Sequence, residues 1–278
     1  MNALTMIRLH NRILGAFAPN WVGRKMARLF LTPRRLPLKQ WEIDLEQECR
    51  RVTFAKDLSA AVWGQSDKKV LLVHGWESRA THMSALVQPL VDSGYEVVAL
   101  DAPKHGQSGG AKANVLAFAE AIVAADLELG PFVGAVGHSM GGAALTVAME
   151  LGAYIPKCVL ISSPASILDV LQGFAGYMGM HGRVQSAFIY HIESEVGVPA
   201  KQLNMGRILA EQTTETLLIH SDDDREIPVT SVNVIAQHVP SAQTLITKEL
   251  GHRKIIKDSK VAKRIEAFMQ GEHLSQVG

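Results

Sequence analysis

Phe132-Val-Gly-Ala-Val-Gly-His-Ser-Met-Gly-Gly-Ala-Ala-Leu-Thr-Val-Ala-Met-Glu-Leu151 is the stretch that decides the fold. A short apolar run, Phe132 to Val136, ends in Gly137-His-Ser-Met-Gly-Gly142 and passes into a helical stretch over Gly141 to Leu151. Strand, tight turn and helix is the context in which Gly-x-Ser-x-Gly has a mechanical meaning. The turn forces Ser139 into a strained conformation at the strand tip, and Gly137 and Gly141 leave room for the backbone to cross closely. The helix that follows directs its N–H groups and dipole at charge developing there. With 17 serines and 23 glycines in 278 residues, chance yields about 0.1 such match. A glycine-rich turn without chemistry has the same outline, so its surroundings must decide.

Outward from this stretch, apolar runs alternate with helical patterns. Arg51 to Ala55 and Ser59 to Trp63 read as two strands of a hairpin around Lys56-Asp57-Leu58. Val70 to Val73, Glu96 to Leu100, Cys158 to Ile161, Thr216 to Ile219 and Gln243 to Ile246 continue the series. Helical patterns fall at His82 to Asp92 and Asn114 to Leu129. Continuous apolar strands separated by helices predict a mostly parallel sheet covered on both faces, with ligands beyond the carboxyl ends of the strands. Between Ser163 and Gln212 the rhythm breaks into glycines, Phe174, Tyr177, Met178, Met180, Phe188 and Tyr190. This stretch reads as a helical cap inserted after the sixth strand, placed to form a lid and substrate pocket. Its Phe174, Tyr177, Met178 and Met180 serve equally well as an apolar acyl or aromatic pocket or as the cap's own core.

Partners for Ser139 stand at strand ends. A serine nucleophile needs an imidazole to take its proton and a carboxylate to fix that imidazole's tautomer. Leu217-Leu-Ile-His-Ser-Asp-Asp-Asp-Arg-Glu-Ile-Pro228 ends an apolar strand in three acids, Asp222, Asp223 and Asp224. Glu249-Leu-Gly-His252 follows on a short loop before the last helix. Of the eleven histidines, His238, His252 and His273 lie well beyond the acid loop; His238 closes a helix and His273 sits in the polar tail. The order serine, acid, histidine is that of the α/β-hydrolases.

The chain resembles the α/β-hydrolase superfamily of esterases and lipase-like enzymes from roughly Arg51 to Gln270. The family's acid loop, His-Gly-x-x-Asp-x-x-Val-Pro, laid on His220-Ser-Asp-Asp-Asp-Arg-Glu-Ile-Pro228, implies that Asp224 is the triad acid. Ser221 then replaces the usual glycine, and Asp222 and Asp223 stand as alternatives or as solvated and capping residues. Val73-His-Gly-Trp76 is similar to the family's His-Gly-x motif. It implies an oxyanion hole from the backbone N–H groups of Trp76 and Met140, with the Trp76 side chain left to line the pocket and His74 structural. Leu100-Asp-Ala-Pro-Lys-His-Gly-Gln-Ser-Gly109 resembles the Asp-x-x-Gly-x-Gly-x-Ser turn, with Asp101 and Ser108 as stabilisers and Lys104 where glycine is often found. The resemblance implies a catalytic triad of Ser139, Asp224 and His252 acting on a carboxylic ester through an acyl-enzyme. A serine at this position argues against the aspartate-dependent dehalogenases and epoxide hydrolases. Thioester hydrolysis, and an interaction protein that keeps the fold without turnover, remain the alternatives.

Composition bounds the rest. The net charge of +1 shows no bias toward nucleic acid, and two cysteines, Cys49 and Cys158, are too few for a disulfide framework. No metal cluster or phosphate loop is visible, so no cofactor is expected. No run reaches the roughly 18 apolar residues of a spanning helix, and the N-terminus lacks signal-peptide features, so a cytoplasmic location is expected. The charge is uneven, however: Arg8, Arg12, Arg24, Lys25, Arg28, Arg34, Arg35 and Lys39 all precede the first acid, Glu42. Met6, Leu9, Ile13 and Phe17 recur at helical spacing there. Such a basic amphipathic helix either docks on an anionic membrane or a partner, or packs on its own domain with its charges solvated. The expected division is a basic arm over 1–50, a core over 51–163, a cap over 164–212, a second core part over 213–270 and a tail over 271–278. Oligomeric state is not legible.

Overall fold

In the computed structural model, residues 2–110 and 112–272 are described. The basic segment forms α1 (Ala3–Phe17), whose first turn is capped by the Asn2 side chain, and α2 (Pro19–Phe30), which opens on proline. α3 (Gln40–Glu48) leads into the hairpin of β1 (Arg50–Phe54) and β2 (Leu58–Trp63), followed by β3 (Lys69–Val73). The helix expected over His82 to Asp92 is instead a 3₁₀ segment, Ala80–Leu86, and a short α4 (Val87–Asp92). Pro89 is the reason: it has no N–H to give to the preceding turn and its ring crowds a continuous α-helix.

Regular alternation follows, with β4 (Glu96–Asp101), α5 (Val115–Leu129), β5 (Phe132–His138), α6 (Met140–Glu150) and β6 (Lys157–Ile161). Then come α7 (Ile167–Tyr177), α8 (Arg183–Val196), α9 (Met205–Ala210) and β7 (Glu215–Ser221). The chain closes through α10 (Thr230–His238), β8 (Gln243–Thr247), α11 (Gly251–Lys254) and α12 (Ser259–Met269).

All eight strands make one sheet in the order β1-β2-β4-β3-β5-β6-β7-β8. β1 and β2 pair antiparallel with their neighbours, and β3 through β8 form the parallel part. Val70 to Val73 and Val97 to Leu100 are almost wholly buried, as strands covered on both faces must be. The register brings one group of carboxyl ends together: Val73 lies beside Gly137, His138 beside Ile161, and Ser221 beside Thr247.

By packing the chain divides into two compact units. One joins residues 1–33 to 166–204; the other holds 34–165 and 205–278. This division joins most of the expected arm and cap in one unit, and two stretches, 34–50 and α9, leave them for the sheet, each with a physical reason. Residues 34–50 go with the sheet because Glu42, fully buried on α3, accepts from Thr81 Oγ1 at 3.0 Å, and Arg79 lies 3.5 Å away. α9 goes with the sheet because it packs against α6 and α10. In the first unit, α2 packs along α8, and Phe30, Phe174 and Phe188 meet with ring centroids 4.8–5.8 Å apart. Phe188 and Met180 are fully buried there, whereas Tyr177 is exposed. Among the described residues no helix is long and apolar enough to cross a membrane. His273 and the rest of the tail from 273 onward lie outside the described residues.

Candidate active site

Ser139 stands between β5 and α6 with φ 54° and ψ −121°, a conformation that costs a non-glycine residue about 1–3 kcal/mol. The elbow is held in place by its backbone. The Ser139 N–H donates to Ile161 O at 2.9 Å, and Ser139 O accepts from the N–H groups of Gly142 and Ala143. Close packing explains the two glycines. A Cβ on Gly137 would lie 2.6 Å from Gly142 Cα, and one on Gly141 would lie 2.3 Å from Val73 O. Gly75, in the turn after β3, faces the nucleophile directly: its Cβ would sit 3.0 Å from Ser139 Cβ. Met140 is the first residue of α6, where helical N–H groups have no carbonyl partner within the helix. Trp76 follows Gly75, so both expected oxyanion donors flank the strand tip that carries Ser139.

The Trp76 ring is not simply a pocket wall. It packs on His105 and Phe118, with centroids 5.2 and 6.3 Å away. Histidines act as neutral connectors around it. His74 Nδ1–H donates to Gly75 O at 2.7 Å, while His74 Nε2 accepts from the Ala102 N–H at 3.1 Å. His105 donates to Pro103 O and accepts from the Glu77 N–H. Burial pushes both imidazoles down from their ordinary range, so each keeps one donor and one acceptor at neutral pH. Beneath them Asp101 accepts from the N–H groups of Ala80 and Gln107 and from Arg51, and Ser108 Oγ donates to Asp101 O. Lys104, in the same turn, takes a left-handed φ of 62°.

The acid loop follows β7. Asp224 is buried, and its Oδ2 accepts from His252 Nδ1 at 2.8 Å. Its Oδ1 accepts the N–H groups of Glu226 and Ile227 at 2.9 and 3.0 Å. His220 Nε2 approaches the same Oδ2 at 3.4 Å while donating to Ile227 O at 3.0 Å. Burial alone would raise the Asp224 carboxyl, but hydrogen bonds from His220, His252 and Ile227 outweigh it and hold it well below the carboxylate range. Asp222 and Asp223 are exposed and do not reach His252. Asp223 instead accepts from Ser221 Oγ at 2.6 Å and from the Gly251 N–H at 2.9 Å. Ser221 Oγ also accepts the Leu250 and Gly251 N–H groups at 3.2 and 3.1 Å. The residue in place of the usual glycine thus joins the acid loop to the histidine loop.

His252 begins the second residue of α11, after Glu249 and Gly251 at positive φ. Its carbonyl accepts from His138 Nε2 at 2.7 Å, and the two imidazoles lie 4.8 Å apart. A carbonyl only accepts, so His138 carries its proton on Nε2. Burial, with the neighbouring His252, lowers His138 to about 3 and keeps it neutral. Ser139, Asp224 and His252 are therefore brought to one place: Asp224 and His252 by direct contact, Ser139 through its neighbour His138. Among the described residues no hydrogen bond joins Ser139 Oγ to His252 Nε2, and Nε2 lies 3.9 Å from Glu226 Oε2. No group of three or more described His, Cys, Asp or Glu side chains is arranged to hold a metal ion.

Residues 70–223 match the model of the alpha/beta hydrolase family, a span that carries the elbow and reaches the acid loop. The chain belongs to this family. No curated protein matches the sequence. Several solved structures are similar to this alpha/beta hydrolase. An esterase of Pyrococcus furiosus shares 22% identity and a TM-score of 0.65 over 86% of this chain and 98% of that one. A thioesterase domain from the curacin biosynthetic pathway gives 16% and 0.60 over 80% and 99%. A membrane phospholipase A, a bacterial virulence factor, gives 20% and 0.62 over 95% of each chain. At such identities the likeness carries the fold.

His138, His220 and Ser221 make contacts with the acid and histidine loops that the sequence alone does not show. All three lie inside the motifs that pointed to Ser139 and Asp224, but their roles need the register of β5, β7 and the following loops.

Proposed function

We propose that the chain is a serine hydrolase that cleaves a carboxylic ester through an acyl-enzyme, with Ser139, His252 and Asp224 as its triad. The observation that carries this reading is the bond from His252 Nδ1 to a buried Asp224 carboxylate, beside a serine held in strained backbone at a strand tip. Strain of that kind is retained where function needs it. Esterases and a thioesterase domain among the similar structures agree with acyl transfer.

In the first step Ser139 Oγ attacks the ester carbonyl and its proton passes to His252 Nε2. Asp224 fixes the tautomer that leaves Nε2 free to accept, and it stabilises the imidazolium that forms. Charge on the carbonyl oxygen falls to the N–H groups of Trp76 and Met140. Each such donor contributes about 3–4 kcal/mol to the transition state in comparable hydrolases. His252 returns the proton to the departing alkoxide, which leaves as an alcohol. Water, deprotonated by the same imidazole, then attacks the acyl-enzyme and releases acid and free Ser139. Bound substrate has to bring Nε2 and Oγ together, a bond that commonly tightens only in the Michaelis complex.

A thioester is the second substrate class, since the same steps expel a thiolate. Hydrolysis of p-nitrophenyl esters and acyl thioesters of graded chain length tests both. Wild type should turn over one series, with a loss of several orders of magnitude in Ser139→Ala and His252→Ala. Equal activity in wild type and Ser139→Ala would remove the proposal.

A further inference from the structure

The first 30 residues carry an apolar surface that the unit they belong to does not cover. At 100° per residue, Met6, Leu9, Ile13 and Phe17 fall within an arc of about 80° on α1. Phe17 is 86% exposed, and Met6, Leu9 and Ile13 are 46–56% exposed. The opposite face of α1 is the one engaged. Asn11 Nδ2 donates to Met178 O at 2.8 Å, and a Cβ on Gly15 would meet Val184 Cγ2 at 2.5 Å. The usual arrangement is reversed: a polar and a small residue face the protein while the large apolar side chains face water.

The surface continues onto α2. Trp21, half exposed, lies against His10 with centroids 6.2 Å apart, and Lys25 Nζ sits 5.2 Å above its ring. Beside it the outer face of α2 presents Arg24, Lys25 and Arg28 with exposed Leu29, while Val22, Met26 and Ala27 are buried. No acid occurs before Glu42, and the acids of this unit, Asp169, Glu193 and Glu195, are on α7 and α8.

From this we infer that α1 and α2 dock on an anionic lipid surface, with Met6, Leu9, Ile13 and Phe17 entering the acyl boundary, Trp21 at the headgroup level, and Arg12, Arg24, Lys25 and Arg28 on the lipid phosphates. Three features select that occupant. An apolar stripe flanked by arginine and lysine with a tryptophan matches the depth profile of a bilayer interface. The charge is of one sign, which anionic lipid complements. A second copy fits poorly, because a twofold contact would set each cluster of arginines and lysine against itself.

The test is sedimentation of the full chain with phosphatidylcholine vesicles, with and without about one-third phosphatidylglycerol. Binding should be at least about tenfold tighter with the anionic lipid and fall in high salt, with a blue shift of tryptophan emission that is absent in Trp21→Phe. Ile13→Asp with Phe17→Asp should weaken binding about tenfold or more. Arg24→Glu, Lys25→Glu and Arg28→Glu together should weaken it about a hundredfold. All of these positions are exposed, so the unfolding midpoint should stay unchanged. Three results would each overturn the proposal: no binding to either vesicle, equal and salt-insensitive binding to both, or lipid-free dimers that disappear with the stripe.

Discussion

Two regions of this molecule break the ordinary rules of burial in opposite directions. Around Asp224 a carboxylate is taken out of water, and both its oxygens are engaged by two imidazoles and two backbone N–H groups. Along the outer face of α1, large apolar side chains are left in water although their helix is well anchored on its other side. The first is a buried polar network, worth keeping only when nearly every group in it is satisfied. The second is surface that folding alone would have hidden. Geometry near the reaction has to be fixed in advance, whereas a docking face has to stay open until its partner arrives.

The contrast breaks hardest at Asp224. Asp224→Asn keeps the shape but offers His252 a donor where it needs an acceptor, so kcat should fall about 10³–10⁴-fold. Ile13→Ser on α1 should leave kcat for a soluble ester unchanged. Steady-state hydrolysis of one chromogenic ester reads both variants. A similar fall in both would erase the distinction between the regions.

His138 gives the next largest effect. Its Nε2–H fixes the carbonyl of His252, so His138→Phe should cut kcat/KM about ten- to a hundredfold by misplacing the imidazole. A shifted acid limb in the pH profile should accompany that loss. His138→Gln, which keeps a side-chain N–H, should recover part of it. An unshifted profile with full activity in His138→Phe would reduce the contact to packing.

pH sharpens the comparison through stability. His74, His105 and His138 have folded-state values pushed below the ordinary 6.5, chiefly by burial. The unfolded chain therefore takes up protons first as pH falls. The histidine contribution is complete above about 6.5 and is lost as pH falls toward each group's depressed value, about 3 for His138, by up to about 1.4 kcal/mol per pH unit for each group. Asp224, depressed by its partners, adds a loss of the same sign only below its unfolded value near 4. Urea midpoints should fall steadily from pH 7 to pH 5. In His138→Gln the slope over that range should be shallower.

Lys104 marks the smallest effect. Left-handed backbone costs an L-residue about 1–2 kcal/mol, while glycine loses more entropy on folding. Lys104→Gly should raise stability by less than about 1 kcal/mol, measured by chemical unfolding.

Much of the fold was legible because each strand is a compact apolar run and each turn carries its own chemistry. Ser139 was legible for the same reason, since Gly137 and Gly141 are local requirements of one turn. The choice of Asp224 over Asp222 and Asp223 came through family resemblance; three consecutive acids differ only once the loop has curved and buried one of them. Non-local contacts stayed hidden. Nothing within Ser221 signals that it accepts from N–H groups about 30 residues later, and nothing around Pro89 showed how far the preceding turn would tighten. The charge of the first 40 residues was plain in the sequence, but which face of α1 would point outward depended on Asn11 and Gly15 finding Met178 and Val184.

Ser139 is proposed to be a nucleophile made reactive by His252 and Asp224. The most direct test is to treat the protein with a fluorophosphonate and map the adduct by mass spectrometry, in wild type and in His252→Ala. One adduct on Ser139, formed at least about a thousandfold more slowly without His252, is the expected result. Failure to label, or an adduct on another residue with Ser139 untouched, would contradict it.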